Sequence, residues 1–334
     1  MIRIAFCGMG SIARGRHLPE LLAEKDAAFQ GYYVPSPLKC GDELPPTAVS
    51  YSSFDHMLQD PAVDAVVITS PNTFHASQSI AAMKAGKDVL CEKPMAISME
   101  EGREMLRTAK ETGQVLMIAH NLVLEPAFSL AKKYLTDGSL GRVLFFQGLI
   151  ACEGPEGQDQ PFPEKLWFFQ KEKAGGGASL DLAIHGAHAI SWLLEEPLTP
   201  VSHLAAALDK KTSLGAPIEV EDTCLGLFRT PSGIIGTLGA SWCCQEGWRS
   251  PITLYCQKGV LHLYPNPDTA LEIRYADGSV FTQPSIPKSL WPHGSGVMHA
   301  FVEAVVQRTD PQYTAQPALD ALEAALSLTG SREG

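Results

Sequence analysis

The stretch Ile2-Arg3-Ile4-Ala5-Phe6-Cys7-Gly8-Met9-Gly10-Ser11-Ile12-Ala13 sets how the first part of this protein is read. Residues 2 to 7 form a short apolar run suited to a buried strand. Gly8 and Gly10 make a turn, and apolar residues then recur at helical spacing from Ile12 to Ala23. In such a strand–turn–helix, Gly8 permits the tight turn, Gly10 lets a phosphate approach the backbone, and Ala13 is small enough for the helix to pack on the strand. The amides of Ser11, Ile12 and Ala13 lead the helix and face any anion placed there. Glycine pairs occur in many loops, so the motif acquires meaning only from its surroundings.

Those surroundings alternate regularly. A second strand is expected over Phe29 to Val34, and Pro35, Pro37, Pro45 and Pro46 then predict a long surface loop up to Tyr51. Ala65-Val66-Val67-Ile68-Thr69 is an unbroken apolar run ending at the turn Ser70-Pro71-Asn72, followed by a helix over roughly 74 to 84. Asp88 to Cys91 reads as a strand, Met99 to Glu111 as a helix closed by Gly113, and Val115 to Ala119 as another strand. Strands and helices in this alternation imply a parallel sheet covered on both faces: an α/β, Rossmann dinucleotide-binding domain over residues 1–121.

Beyond Gly141 the pattern changes to successive strands at Val143–Ala151, Val201–Leu208, Thr223–Phe228, Ile234–Ser241, Ile252–Tyr255 and Val260–Leu263. One strong helix interrupts them, from about Ala178 to Leu194, and a C-terminal helix is expected near Val297 to Gln307, packing back on the first domain. The second domain, 122–334, is therefore an α+β unit with a mainly antiparallel sheet. A length of 334 residues suits two such cores.

The net charge of -11 comes without any basic block, which removes the electrostatic footprint of a nucleic-acid or anionic-membrane partner. No apolar run reaches the roughly 18 residues that span a bilayer, and Met1 leads straight into a strand, so a cytoplasmic protein is expected. The eight cysteines are scattered without a C-x-x-C pair and read as small buried hydrophobes.

Three places carry chemistry. At the end of the second strand, Gly31-Tyr32-Tyr33-Val34-Pro35-Ser36-Pro37-Leu38-Lys39 lacks the carboxylate that holds the adenosine ribose hydroxyls in NAD-binding domains. Ser36 with Lys39 or Arg14 is placed instead to bind a 2'-phosphate, which marginally favours NADP over NAD. Cys91-Glu92-Lys93-Pro94-Met95 stands at the carboxyl end of a strand, where α/β sheets bind ligands, although an exposed Glu-Lys pair is by itself most often a solvated charge pair. In Ala174-Gly175-Gly176-Gly177-Ala178-Ser179-Leu180-Asp181-Leu182-Ala183-Ile184-His185, Asp181 and His185 are four apart and share a helix face, where a carboxylate orients an imidazole. His185-x-x-His188 lacks the glutamate of the zinc-protease pattern, so no metal is expected.

Together with Thr69-Ser70-Pro71-Asn72-Thr73-Phe74-His75, these elements resemble the glucose-fructose oxidoreductase and inositol dehydrogenase family over nearly the whole sequence. The resemblance implies a large open sheet in the second domain, and a homodimer or homotetramer formed through it. It also implies NAD(P)-dependent oxidation or reduction of a secondary alcohol or ketone on a sugar, sugar derivative or cyclitol. Lys93 would be the catalytic lysine beside the nicotinamide, steadying the alkoxide, with His185 as acid/base and Asp181 assisting it. Ser70, Asn72, His75, Glu92, Lys93 and Asn121 would contact the cofactor.

Two departures from the family pattern stand out. Leu122-Val123-Leu124-Glu125-Pro126 follows Asn121 where many members carry arginine, and His188 stands where aspartate is common, so a different substrate pocket is expected. Trp167, with Lys93, Asp181, His185 and His188, is a candidate lining residue; Trp167, Phe168 and Phe169 are either a sugar-covering face or core. Two other readings exist: a glycosidase or lyase that holds NAD tightly and cycles it, and a non-catalytic dinucleotide-binding sensor. The intact Lys93, Asp181 and His185 argue against the sensor.

Overall fold

Four fully buried residues, Ala65 to Ile68, sit beside four more, Asp88 to Cys91, in the middle of a six-stranded sheet. The computed structural model describes residues 1–36, 44–156, 166–212, 215–287, 294–310 and 314–330. The protein forms two compact units, Met1–Asn121 with Lys288–Leu319, and Leu122–Pro287 with Asp320–Gly334.

In the first unit the strands β1 (Ile2–Cys7), β2 (Ala27–Tyr33), β3 (Val49–Ser50), β4 (Ala65–Ile68), β5 (Asp88–Cys91) and β6 (Leu116–Ile118) run parallel in the order β3-β2-β1-β4-β5-β6. The order reverses between β1 and β4, and open α/β sheets bind ligands outside the carboxyl ends at such a reversal. Helices α1 (Leu18–Ala23), α2 (Phe54–Gln59), α3 (His75–Lys84) and α4 (Met99–Thr112) make the connections. The Ser98 hydroxyl caps α4 by accepting the Glu101 N–H, and Gly113 closes it at φ 69.

Two features depart from the expectation for this unit. The proline-rich stretch after Tyr33 contains β3, which pairs with β2 at Gly31↔Val49; a Cβ on Gly31 would come within 2.2 Å of the Val49 carbonyl oxygen. The helix expected from Ile12 opens as a π-helical turn, Ala13–His17, before α1. Pro19 explains it, because proline offers no N–H to the carbonyl four residues back and its ring crowds that carbonyl, so the turn widens.

The second unit carries α5 (Pro126–Thr136), β7 (Val143–Ala151), α6 (Lys171–Ala174), α7 (Ile184–Leu194), β8 (Thr199–Ala206), β9 (Thr223–Arg229), β10 (Ile235–Ser241), β11 (Ile252–Cys256), β12 (Gly259–Asn266), β13 (Thr269–Tyr275) and β14 (Val280–Pro284). Its eight strands lie in the order β14-β13-β12-β11-β7-β10-β9-β8, antiparallel except for the central pair β7 and β10. A π-helical turn, Ser179–Ala183, precedes α7 where one continuous α-helix was expected. The helix packs on one sheet face through small residues: a Cβ on Gly186 would come within 2.6 Å of Leu238, and one on Gly148 within 2.9 Å of Ile190. On the other face Leu149, Leu225, Leu227, Ile235 and Tyr255 are exposed. This is the open sheet expected for the second domain.

Two helices follow the second sheet, α8 (Val297–Gln307) and α9 (Gln316–Leu326). Lys288–Leu319, which lies within the expected 122–334 domain and includes the helix expected to pack back on the first, groups with the first unit. The cause is apolar: Val297, Met298, Phe301 and Val302 of α8 are buried in one cluster with Ile4, Phe6 and Phe29. Arg308, just past α8, adds a 2.7 Å ion pair to Asp88. No helix among the described residues is long and apolar enough to cross a membrane.

Candidate active site

The turn after β1 is shaped by a close approach of backbone to backbone. Gly8 has φ +96, and a Cβ there would stand 2.8 Å from the carbonyl carbon and oxygen of Thr69. Thr69 reciprocates, its hydroxyl donating to the Gly8 carbonyl at 2.9 Å and its N–H to that of Cys7 at 2.9 Å. Past this point the backbone opens, because no atom lies within 4 Å of where a Gly10 Cβ would be. Arg14 N–H bonds the Gly10 carbonyl at 3.1 Å, which leaves the amides of Ser11, Ile12 and Ala13 ahead of the helical ladder. An open backbone beside leading helix amides fits a phosphate.

The topology brings most of the other residues predicted for cofactor binding to the same sheet edge: Ser70 and Asn72 after β4, Glu92 and Lys93 after β5, Asn121 after β6. Asn72 and Asn121 are buried there, and the Ser70 hydroxyl donates to Gln78 at 2.6 Å. His75 lies at the head of α3 with its two ring nitrogens 2.7 Å from the Pro94 carbonyl and 2.8 Å from the Ser70 carbonyl. Almost wholly buried, it braces the Lys93–Pro94 segment; burial holds its pKa down despite both carbonyls.

The carboxylate of Glu92 is likewise turned inward. One oxygen accepts from His17 Nε2 at 2.8 Å and the other from the Lys93 backbone N–H at 3.0 Å, while Glu92 N–H bonds the Ile68 carbonyl at 2.9 Å. Burial alone would raise this pKa, but the hydrogen bond and charge of His17, with Arg16 and Lys93 adding, hold it down to about 2. Nothing in the sequence singles out His17. Its position in the π-helical turn joins the helix of the phosphate turn to the lysine segment. Lys93 and Pro94 are linked by a cis peptide.

At the end of β2 stand Tyr33, Val34, Pro35 and Ser36, without a carboxylate, and Ser36 is exposed. Lys39 lies outside the described residues. Arg14 is half-buried beside the glycine turn, and its Nε meets no acceptor among the described residues.

The second unit holds its candidates just as firmly. Glu221, a buried carboxylate ahead of β9, accepts the Gly177 N–H at 2.8 Å, the Ser179 N–H at 3.1 Å and the Ser179 hydroxyl. Such a clamp suits a helix N-terminus, where amides lack intrahelical partners and the dipole favours negative charge. Asp181 follows in the π-helical turn, its carboxylate taking the Trp242 Nε1–H at 3.0 Å. His185 opens α7, buried, with its ring at 85° to that of Trp248 and 5.8 Å away. His188 is buried one turn on, and desolvation pushes its pKa down to about 4, so it is neutral at neutral pH.

The expected aromatic trio divides. Phe169 packs into the core against Trp242, ring centroids 5.9 Å apart, whereas Trp167 stacks on Phe168 at 4.0 Å and stays partly exposed. Glu221, Trp242 and Trp248 carry no motif of their own; only the adjacent acids Glu221-Asp222 before a strand offer a signal. Among the described residues no cluster of His, Cys, Asp or Glu is arranged to hold a metal.

A dinucleotide-binding parallel sheet followed by this open sheet defines a class, and comparison agrees. The chain belongs to the GFO/IDH/MocA oxidoreductases: the model of the oxidoreductase family with an NAD-binding Rossmann fold matches residues 2–120, and that of the GFO/IDH/MocA C-terminal domain residues 128–262. More particularly, it is similar to levoglucosan dehydrogenase of Pseudarthrobacter phenanthrenivorans, 32% identical over 58% of this chain and 53% of that protein. It is also similar to 1,5-anhydro-D-fructose reductase of Ensifer adhaerens, 34% identical over 56% of this chain and 53% of that protein. The matched region thus spans about half the length of these curated relatives. In fold it resembles the solved levoglucosan dehydrogenase complex with NADH, with a TM-score of 0.83 and 22% identity over 98% of this chain and 95% of that one.

Glu92 gives a test by pH. Its carboxyl is more acidic in the folded protein, about 2, than its ordinary 4.5, so the stabilisation is complete above pH 4.5 and lost as pH falls towards 2. In denaturant titrations Glu92→Gln should therefore be less stable than the parent at pH 7, and the gap should close between pH 4.5 and 2. A gap independent of pH would show that the buried charge is not what the site stabilises.

Proposed function

We propose that the protein is an NAD(P)-dependent oxidoreductase acting on a secondary alcohol or ketone of a sugar, sugar derivative or cyclitol. The observation that carries this reading is the gathering of Gly8 to Ala13, Ser70, Asn72, Glu92, Lys93 and Asn121 at one carboxyl edge, where the strand order of the first unit reverses. The open backbone at Gly10 supports a pyrophosphate held by the amides of Ser11, Ile12 and Ala13. When bound, the nicotinamide supplies or accepts the hydride.

The protein's own residues then handle the proton and the charge. Lys93 steadies negative charge developing on the substrate oxygen, on a segment fixed by Glu92 and His75. His185 exchanges the hydroxyl proton. Asp181, its carboxylate fixed by Trp242, assists His185 from the preceding turn. His188, neutral and buried one turn on, supports the pocket rather than the proton transfer.

NADP is the marginally favoured cofactor. Two features support it: the strand end at Tyr33 to Ser36 carries no carboxylate to repel a 2'-phosphate, and Arg14, beside the glycine turn, brings a guanidinium whose buried Nε meets no acceptor among the described residues. The protein acts as a homodimer or homotetramer through its open sheet, a reading supported by the row of exposed Leu149, Leu225, Leu227 and Ile235.

Lys93→Met should cut kcat by about a hundredfold or more while NADPH still binds within about threefold of the parent, because the phosphate turn is untouched. His185→Asn should lose about a hundredfold on its own. Full NAD(P)+ reduction by Lys93→Met would end the assignment. Arg14→Ala should weaken NADPH by about tenfold, the size of one charge-assisted hydrogen bond, and leave NADH unchanged; equal losses would remove the case for NADP. In light scattering the parent protein should be a dimer or tetramer, and the double variant Leu227→Glu, Ile235→Glu a monomer. A monomeric parent at micromolar concentration contradicts the sheet interface.

A further inference from the structure

Most tryptophans and phenylalanines named above in the second unit are already occupied by the protein: Trp242, bonded to Asp181, is fully buried, Phe169 packs against it, and Trp167 lies on Phe168. Trp248 is different. Its ring stands against the imidazole of His185, yet 42% of the residue is open to solvent. Single exposed apolar residues are ordinary on protein surfaces and usually sit on yielding loops. The connection between β10 and β11 that carries Trp248 is instead tied to β7 on both sides.

Before Trp248, Cys244 N–H bonds the Cys152 carbonyl at 3.1 Å, and Gly247 turns the backbone at φ +74. After it, Arg249 and Ala151 exchange backbone hydrogen bonds of 2.8 and 2.7 Å, and Leu149 N–H reaches the Pro251 carbonyl at 3.1 Å. The loop begins at Trp242, the residue that fixes the Asp181 carboxylate. One short connection therefore positions a carboxylate through its first indole and presents its second, half-open, beside the histidine.

We propose that the Trp248 indole is the platform on which the substrate ring lies, and that it selects saturated six-membered polyol rings having a face of C–H bonds only. This rests on the carbohydrate reading above and adds to it a substrate geometry. An indole offers a wide, rigid apolar surface whose electron-rich face attracts C–H hydrogens. A ring with equatorial hydroxyls presents such hydrogens on its faces and sends its oxygens outward, where an imidazole one ring-width away meets them. An acyclic polyol has no continuous face of this kind. Ligand sites commonly join an aromatic wall to a few placed polar groups in this manner.

The test uses the full-length protein with NADPH and two probes, scyllo-inositol, whose six hydroxyls are all equatorial, and the acyclic polyol glucitol. Saturation-transfer NMR and titration should show scyllo-inositol binding the parent and glucitol binding more weakly. Trp248→Ala should lose about tenfold in affinity for scyllo-inositol, the worth of one aromatic contact, and Trp248→Phe should keep it within about threefold. Retention by the phenylalanine variant separates a platform from a fold defect. Unchanged binding by Trp248→Ala, no preference over glucitol, or no binding of scyllo-inositol to the parent overturns the proposal. Parallel NAD(P)+-reduction assays keep the two ideas apart: Trp248-dependent binding without hydride transfer leaves the platform standing and removes the oxidoreductase reading.

Discussion

A hydrogen atom is the largest side chain that fits at position 8. The backbone leaving β1 must pass against the carbonyl of Thr69 at the end of β4, and a Cβ would sit 2.8 Å from that carbonyl, well inside van der Waals contact. With the turn drawn tight, the following helix begins directly over the sheet edge, and its leading amides point to the place where the strand order reverses. Loosening this contact would displace the helix start, and with it His17, which reaches Glu92 and through it the Lys93 segment.

Each of the two groups of candidate residues is held by a buried carboxylate. Glu92 lies between a histidine and a backbone amide; Glu221 grips the first turns of the segment bearing Asp181 and His185. Burying such charges costs several kcal/mol each unless hydrogen bonds meet them; Glu92 is bonded at both oxygens, and Glu221 takes three donors on one. Once satisfied they are stiff, because moving the loop breaks several bonds together. Both clamps act beside a π-helical turn, Ala13–His17 and Ser179–Ala183, a widened winding often found at functional sites.

How much could be read beforehand depended on how local the cause was. β4, β5 and β7 were legible because their apolar runs are bounded by turn residues, and α8 because its apolar face repeats at helical spacing. β14 was not, since Val280 to Pro284 is largely polar and is a strand by virtue of its pairing with β13. β3 hides among prolines and exists because Gly31 lets Val49 approach. The π-helical turns escape any periodicity test, for five residues of wider winding are too few to shift the pattern. His75 braces Pro94, a contact between residues 19 apart that no local pattern marks.

Residue type and short spacing were enough to read the alternation of strands and helices in the first unit apart from β3 and α2, the glycine turn, the lysine after β5, and the place of Asp181 and His185 on adjoining helical turns. All of these act through local backbone sterics and burial of one face, so they could be read from the amino acids alone. Only the folded protein settles that Glu92 answers to His17 across 75 positions, that Glu221 anchors a helix start more than 40 residues before it, and that α8 belongs with β1. It also settles that Trp248, which nothing in its sequence neighbourhood marks, faces His185. The reason is that a side chain's role at a site is set by which distant segments the sheet register brings beside it, and register is a property of the folded whole.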